Sequence, residues 1–317
     1  MKKTVIVATS DYEWHWPFTV DHLAGLLPGE LFRQNSLEGL PADTERLISL
    51  GALPSAEDLD RLPHLTEVYA SNGYRAPAET VDLLRERGLH QVTLPSEGYW
   101  GQSVSEFALG LTIGALRRIP QTHHEIIGGL GEWEYKYGQY SDDPRFTGGT
   151  VEGTRVRIVG AGNIASRYAS FTHMLGADVA AWDPFAPEPS FHRAGARRVL
   201  QLENLLHDAE IFAPMVPLLP STEGLITPEH IRALPTGCLV VLVTRAAVVD
   251  MPELRRRVLA DELSLAADVF DVEPVPLDDP LLGRPNVVHT PHNAGRTRES
   301  NIRLAEALAA LFPESGR

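Results

Sequence analysis

Apolar residues recur along this chain in two alternating rhythms. The first is a set of short, mostly β-branched or aliphatic runs: TVIVA (4–8), RLISLGA (46–52), LTEVYA (65–70), HQVTL (90–94), RVRIVG (155–160), DVAAW (178–182), EIFAPMV (210–216), CLVVLV (238–243), LAADVF (265–270) and NVVHT (286–290). The second is a helical spacing of apolar positions in AETVDLLRERG, SVSEFALGLTIGALRRI, IASRYASFTHMLG, PELRRRVLAD and ESNIRLAEALAALF. Strands that alternate with helices predict an α/β architecture, with parallel sheets covered by helices on both faces. The stretch SVSEFALGLTIGALRRIPQTHHEI reads as one long helix that passes from one domain to the next, with a boundary near Gln102. Residues 129–150, rich in glycine, aromatic and polar residues, read as a loop excursion.

Length and composition narrow the classes. With 317 residues the chain is long enough for two domains with real cores. No apolar run approaches the roughly 18 residues of a membrane span. The opening MKKTVIVATSDYEWHW breaks its apolar run at Thr9-Ser10-Asp11 and reads as a first strand rather than a signal peptide. The single cysteine, Cys238, stands in an apolar strand run, which fits a reducing cytoplasm and an unreactive thiol. A formal net charge of −14 argues against nucleic acid or an anionic membrane as partner. It leaves room for a small anionic substrate that meets a local arginine. His123 and His124 stand on a helix without metal-ligand spacing, so no metal is expected and both read as surface or interface residues.

The strand RVRIVG runs into GAGNIASRYASFTHMLG, which places Gly160, Gly162 and Ala165 in the G-x-G-x-x-A form. The first glycine permits a tight turn, the second lets a pyrophosphate approach the backbone, and the small third residue lets helix pack on strand. The following helix start, at Asn163 and Ile164, offers free N–H groups to phosphate. The next strand ends in Asp183, at about the 20-residue spacing expected of an acid that binds the adenosine ribose hydroxyls. Such a carboxylate repels a 2′-phosphate and favours NAD over NADP.

Three further groups follow predicted parallel strands at the edge where ligands bind in open α/β sheets: Arg245 in VLVTRAAVVD, Glu273 in AADVFDVEP and His292 in HTPHNAG. Reducing a ketone requires a hydride and a proton. Histidine can donate and retrieve that proton near neutral pH. A carboxylate beside it fixes one tautomer and favours the imidazolium, and a guanidinium can bind a substrate carboxylate and polarise the adjoining carbonyl. Each residue alone has an ordinary explanation as loop or surface; their joint occurrence is the signal.

The ordered series GAGNIAS, WDP, VPLLPST, VTRAAVVD, AADVFDVEP and DDPLLGRPNVVHTPHNAG closely resembles the D-isomer-specific 2-hydroxyacid dehydrogenase family, over roughly residues 65 to 310. The resemblance implies an NAD-dependent oxidoreductase of small D-2-hydroxy acids and 2-keto acids, of the glyoxylate or hydroxypyruvate reductase kind. It implies Arg245 as substrate-binding arginine, Glu273 as partner of the acid/base His292, and Asp268 as the acid that orients the nicotinamide amide. Val216, Pro217, Thr222 and Thr244 fall on cofactor-lining segments, with Ser103 and Val104 near the nicotinamide. In YASNG, the backbone N–H groups of Asn72 and Gly73 would hold the substrate carboxylate. The implied architecture is two doubly wound parallel sheets. One is a Rossmann cofactor domain over 103–292. The other is a smaller, flavodoxin-like substrate domain formed by 1–102 and 293–317, with His292 facing the cleft between domains. Family members are usually homodimers.

The text departs from the family in places. Tyr74-Arg75-Ala76-Pro77 replaces an acidic residue and a short link, Ala246 replaces a glycine, and Asn293-Ala294 replaces a smaller, more apolar pair. Trp14, His15 and Trp16, with Tyr99 and Trp100, either wall the substrate pocket or pack the small domain or its interdomain face. Two other functions share the fold: a phosphoglycerate dehydrogenase, many of which carry an appended regulatory domain that is not expected here, and an NAD(H)-sensing regulatory protein. Glu273 speaks against a formate dehydrogenase, which pairs the histidine with glutamine.

Overall fold

The computed structural model describes residues 2–72, 76–94, 98–129 and 143–312. The chain forms two units, Met1–Tyr99 with Arg296–Arg317, and Trp100–Gly295. In the first unit lie β1 (Thr4–Ala8), β2 (Glu30–Arg33), β3 (Arg46–Leu50), β4 (Glu67–Ser71) and β5 (His90–Gln91). They pair in the order β2-β1-β3-β4-β5, every pair parallel. This is the flavodoxin-like winding. Val5, Val7, Leu47, Val68 and Leu84 share one buried apolar cluster, and TVIVA is buried throughout, which is why that run does not alternate.

The second unit holds β6 (Arg155–Val159), β7 (Asp178–Trp182), β8 (Arg197–Arg198), β9 (Ile211–Pro214), β10 (Leu239–Leu242), β11 (Ser264–Ala267) and β12 (Val287–His289). The order is β12-β11-β10-β9-β6-β7-β8, again all parallel. The strand order reverses beside β6, so the turn that follows β6 opens at the switch point where doubly wound sheets bind nucleotides.

Two strands escape the sequence pattern, and one expected strand shrinks. β2 is a half-exposed edge strand and β8 is two arginines long, so neither presents an apolar run. The run at 90–94 forms only two residues of ladder. The expected long helix is two helices, Gly101–Leu116 and Ile119–Gly128. They part at Arg118, whose φ is 50°. Pro120 has no N–H to continue the ladder, and it fits only in the first turn of a new helix.

The N-terminal aromatic stretch also divides. Trp16 and Tyr99 are buried, and Tyr12 packs on Trp16 with ring centroids 6.5 Å apart. Trp14 is 72% exposed, stacked edge-on by His15 and overlain at 6.0 Å by Arg296. Trp100 belongs to the second unit, where a Cβ added at Gly295 would come within 2.6 Å of its ring. Trp16, Tyr99 and Trp100 are thus buried, and Trp14 is not. His123 and His124 are exposed, and among the described residues no group of histidine, cysteine or acidic side chains could hold a metal ion. Cys238 is buried just before β10, and burial pushes its thiol pKa far up, as an unreactive core cysteine requires.

Midway along β6 the Arg157 side chain is 2% exposed. Its Nε and Nη2 donate to the two Asp208 carboxylate oxygens at 2.8 and 2.6 Å, while Asp178 accepts through its carboxylate and its backbone carbonyl. Burial disfavours the guanidinium charge, but the two carboxylates outweigh it and raise its pKa. In return, the hydrogen bonds from Arg157 hold the Asp208 carboxyl below its ordinary value of 3.8. A depressed carboxyl stabilises the fold above its unfolded pKa and loses that contribution as pH falls through the folded value. The wild-type urea midpoint should therefore fall more steeply than that of Arg157→Met between about pH 5 and about pH 2. Parallel falls in the two proteins would show that the pair adds nothing to acid sensitivity.

Candidate active site

The register of three neighbouring strands assembles the site. Leu242 of β10 pairs with Ala267 of β11, which pairs with His289 of β12. The three strands thus end level, and the residues just beyond them, Arg245, Asp268 and His292, leave the sheet side by side. Pro291 follows the last strand, and His292 stands at φ 50°, a left-handed conformation that is uncommon and costly for a side chain with a Cβ.

Asp268 holds that turn. Its carboxylate is fully buried. Oδ1 accepts from Thr290 Oγ1 at 2.6 Å and from the Asn293 N–H at 3.0 Å, and Oδ2 accepts from the Ala294 N–H at 2.9 Å. Charge-assisted hydrogen bonds in a dry setting are stronger than neutral ones. Donors on both sides of His292 therefore converge on one anion and fix its backbone. The resemblance gives Asp268 to the nicotinamide; here its carboxylate is engaged by three protein donors.

The His292 ring is held separately. Its Nδ1 lies 2.6 Å from Glu273 Oε2, and the other Glu273 oxygen accepts from the Phe270 N–H at 2.8 Å. With an ionised Glu273, Nδ1 is the protonated nitrogen, and Nε2 is left to exchange a proton with a ligand. Arg245 follows β10 at the entry of a short 3-10 turn, and its Nη1 donates to the Thr244 carbonyl at 2.7 Å. Arg245, Glu273 and His292 line one open cleft of about 620 Å³, together with Leu218, Val249 and Phe270.

The turn after β6 fits a dinucleotide pyrophosphate. Gly160 has φ 108°, and a Cβ there would lie 2.8 Å from the Met215 carbonyl oxygen, so only glycine serves. At Gly162 a Cβ would meet nothing within 4 Å, which leaves the space beside the backbone open where the helix Asn163–Met174 begins. Asp183, at the end of β7, accepts from the Ala161 N–H at 2.9 Å and from the N–H groups of Phe185 and Ala186. About four lone-pair sites on a carboxylate leave capacity for a ribose hydroxyl.

The remaining candidates are less uniform. Val104 and Val216 are buried, Thr244 Oγ1 bonds the Pro214 carbonyl, and Thr222 Oγ1 caps the turn begun by the exposed Pro217. The Asn163 side chain sits close over Gly101, where a Cβ would come within 2.6 Å, and Ile164 is half-buried beside it. Asn72 is exposed after β4 in the first unit, whereas Gly73 and Arg75 lie outside the described residues. Sequence reasoning missed Thr290 and the Phe270 N–H. Neither a hydroxyl nor a backbone donor carries a type-specific signal in the sequence.

Residues 109–294 match the family model described as D-isomer specific 2-hydroxyacid dehydrogenase, NAD binding domain. The D-3-phosphoglycerate dehydrogenase of Archaeoglobus fulgidus is 30% identical over 232 residues, which span 72% of this chain but 41% of that protein. The hydroxypyruvate reductase of Thermotoga maritima is 26% identical over 292 residues, 90% of each chain. Among solved structures, the TT0316 protein of Thermus thermophilus superimposes with a TM-score of 0.71 at 25% identity, covering 96% of this chain and 94% of that one.

Replacing Asp268 by asparagine turns an acceptor oxygen into a donor amide, so at least one of three buried donors loses its acceptor. Asp268→Asn should lower unfolding free energy by about 1–3 kcal/mol, read by urea denaturation. An unchanged midpoint would show that the turn holds His292 without this carboxylate.

Proposed function

This chain belongs to the D-isomer-specific 2-hydroxyacid dehydrogenase family, and on that premise we propose that it interconverts small D-2-hydroxy acids and 2-keto acids with NAD(H), as a glyoxylate or hydroxypyruvate reductase does. The observation that carries the proposal is the 2.6 Å pair of His292 and Glu273 in a cleft that Arg245 also lines. Bound NADH supplies a hydride to the carbonyl carbon. The work of the chain is to place the keto acid and to manage one proton.

Arg245 pairs with the substrate carboxylate and draws electron density from the neighbouring carbonyl. His292 Nε2 gives its proton to the carbonyl oxygen as the alkoxide develops, and takes it back in the oxidative direction. Glu273 keeps the proton on Nδ1 and offsets the charge of the imidazolium. The turn around Gly160 and Gly162, with the helix start at Asn163, carries the pyrophosphate, and Asp183 selects a 2′-hydroxyl over a 2′-phosphate. A second reading, a three-carbon keto acid that bears a phosphate, is favoured by the identity to the Archaeoglobus D-3-phosphoglycerate dehydrogenase. We also place the protein in the cytoplasm as a homodimer. Its only cysteine is a buried thiol, and the helix Ile119–Gly128 exposes Ile119, Ile126 and Ile127. Among the described residues no helix is long and apolar enough to cross a membrane.

NADH oxidation against glyoxylate, hydroxypyruvate, phosphohydroxypyruvate, pyruvate and phenylpyruvate, with NADPH in parallel, tests this directly. Turnover should appear with NADH and fall sharply with NADPH. Tight NADH binding with no turnover on any of the five acids would instead favour a sensor of the cofactor. His292→Gln should cut kcat by about 10²–10⁴-fold and leave NADH affinity unchanged. Arg245→Met should chiefly raise KM for the keto acid; steady-state constants equal to wild type would exclude its assigned role.

A further inference from the structure

Glu273 orients His292, and the segment that carries Glu273 is itself clamped from outside the cleft. Residues 271–279 belong to the long connection from β11 to β12, and one arginine holds both ends of that segment. Arg255 lies on the helix Met251–Leu259, where Leu254 and Val258 are buried and Asp250 caps the first turn. Its Nη1 donates to Asp271 Oδ1 at 3.3 Å, two residues before Glu273, and its Nη2 donates to Asp279 Oδ2 at 2.5 Å, six residues after it.

The contact with Asp279 is not an ordinary surface ion pair, which is worth little, whereas the longer one joins an Asp271 side chain that is 36% exposed. The Asp279 side chain is 7% exposed and that of Arg255 20%. The second Asp279 oxygen accepts from the Leu281 N–H at 2.9 Å, and the Leu281 side chain is fully buried. Burial works against ionisation of Asp279, but the Leu281 N–H and Arg255 outweigh it and hold the carboxyl below its ordinary range. The far end of the segment is thereby anchored to the core, and the near end to the same guanidinium. Arg255 is absent from the cleft lining, whereas Asp271 and Glu273 are part of it.

We propose that Arg255 is a positioning residue: by bridging Asp271 and Asp279 it sets the Glu273 carboxylate against His292 Nδ1, and so fixes which ring nitrogen faces the substrate. This rests on the reading of His292 as proton donor. A loosened segment would let Glu273 drift, and the neutral ring would then populate the tautomer with its proton on Nε2. That form cannot accept the substrate proton in the oxidative direction.

The test compares Arg255→Met, which keeps the apolar stem but removes the charge, with Arg255→Lys, which cannot fork between two carboxylates. The first readout is the His292 ring tautomer from long-range 1H–15N correlation in the NADH complex, above the pH of ring titration, with the signal assigned by its loss in His292→Gln. Glu273→Ala provides the full effect for scale. The Nε2–H form should rise in Arg255→Met and less in Arg255→Lys. With the preferred keto acid, kcat should fall about threefold to tenfold while KM and NADH affinity stay near wild type. A lowered Tm with an unmoved ring signal would make Arg255 a structural brace only and overturn the proposal. If Glu273→Ala also left the ring unmoved, the reading of Glu273 as partner of His292 would fall, and this one with it. Should Arg255→Met fail to fold, Asp279→Asn removes the same bond from its other end and must move the ring signal in the same direction.

Discussion

A buried anion decides where the His292 imidazole stands. His292 occupies a left-handed backbone conformation that its own side chain disfavours, and such a position persists only where the surroundings over-determine it. Asp268 does so by gathering a hydroxyl from one side of the histidine and two backbone N–H groups from the other. Three donors directed at one carboxylate can outweigh a strain of about 1–3 kcal/mol, because each charge-assisted bond in a dry site is stronger than its neutral counterpart. The ring then leaves the backbone in the one direction from which Nδ1 meets Glu273.

That arrangement presupposes the sheet. Asp268 is the first residue beyond β11 and His292 the third beyond β12, and the two strands end in step because Ala267 pairs with His289. A slip of one residue would turn Asp268 to the opposite face and leave the turn without its acceptor. The apolar core that enforces the register, with Val240, Leu265 and Val287 in one cluster, is therefore as much a part of the site as the polar groups.

How much of this was legible in the sequence follows from the same physics. Strands covered on both faces announce themselves as apolar runs, and DVAAW spans the same residues in sequence and structure. β2 and β8 are edge strands with polar residues, so no burial pattern marks them. The helix expected to run on through Pro120 breaks at Arg118, because the periodicity of apolar positions carries across a break that only the proline signals. Arg245, Glu273 and His292 were readable because each follows an apolar run at the edge of the sheet where ligands gather. Thr290 and the Phe270 N–H were not, since a hydroxyl or a peptide group has no type-specific signature until the turn that aims it is known.

The charge of the chain sharpens the question of how a protein with net charge −14 would receive an anionic acid. The cleft wall includes Glu223, Asp250, Asp271 and Glu273 beside Arg245. Three of the four carboxylates are engaged by the protein: Asp250 caps the helix that follows it, Asp271 meets Arg255, and Glu273 is shared between the Phe270 N–H and His292. Their charge is offset locally by a helix N-terminus, a guanidinium and an imidazole, and at physiological ionic strength the remainder of the surface is screened over about 8 Å. An entering carboxylate would then respond chiefly to Arg245. The pairing of these three acidic groups shapes the local field of the cleft, and the net charge bears on solubility and the rate of encounter rather than on that field.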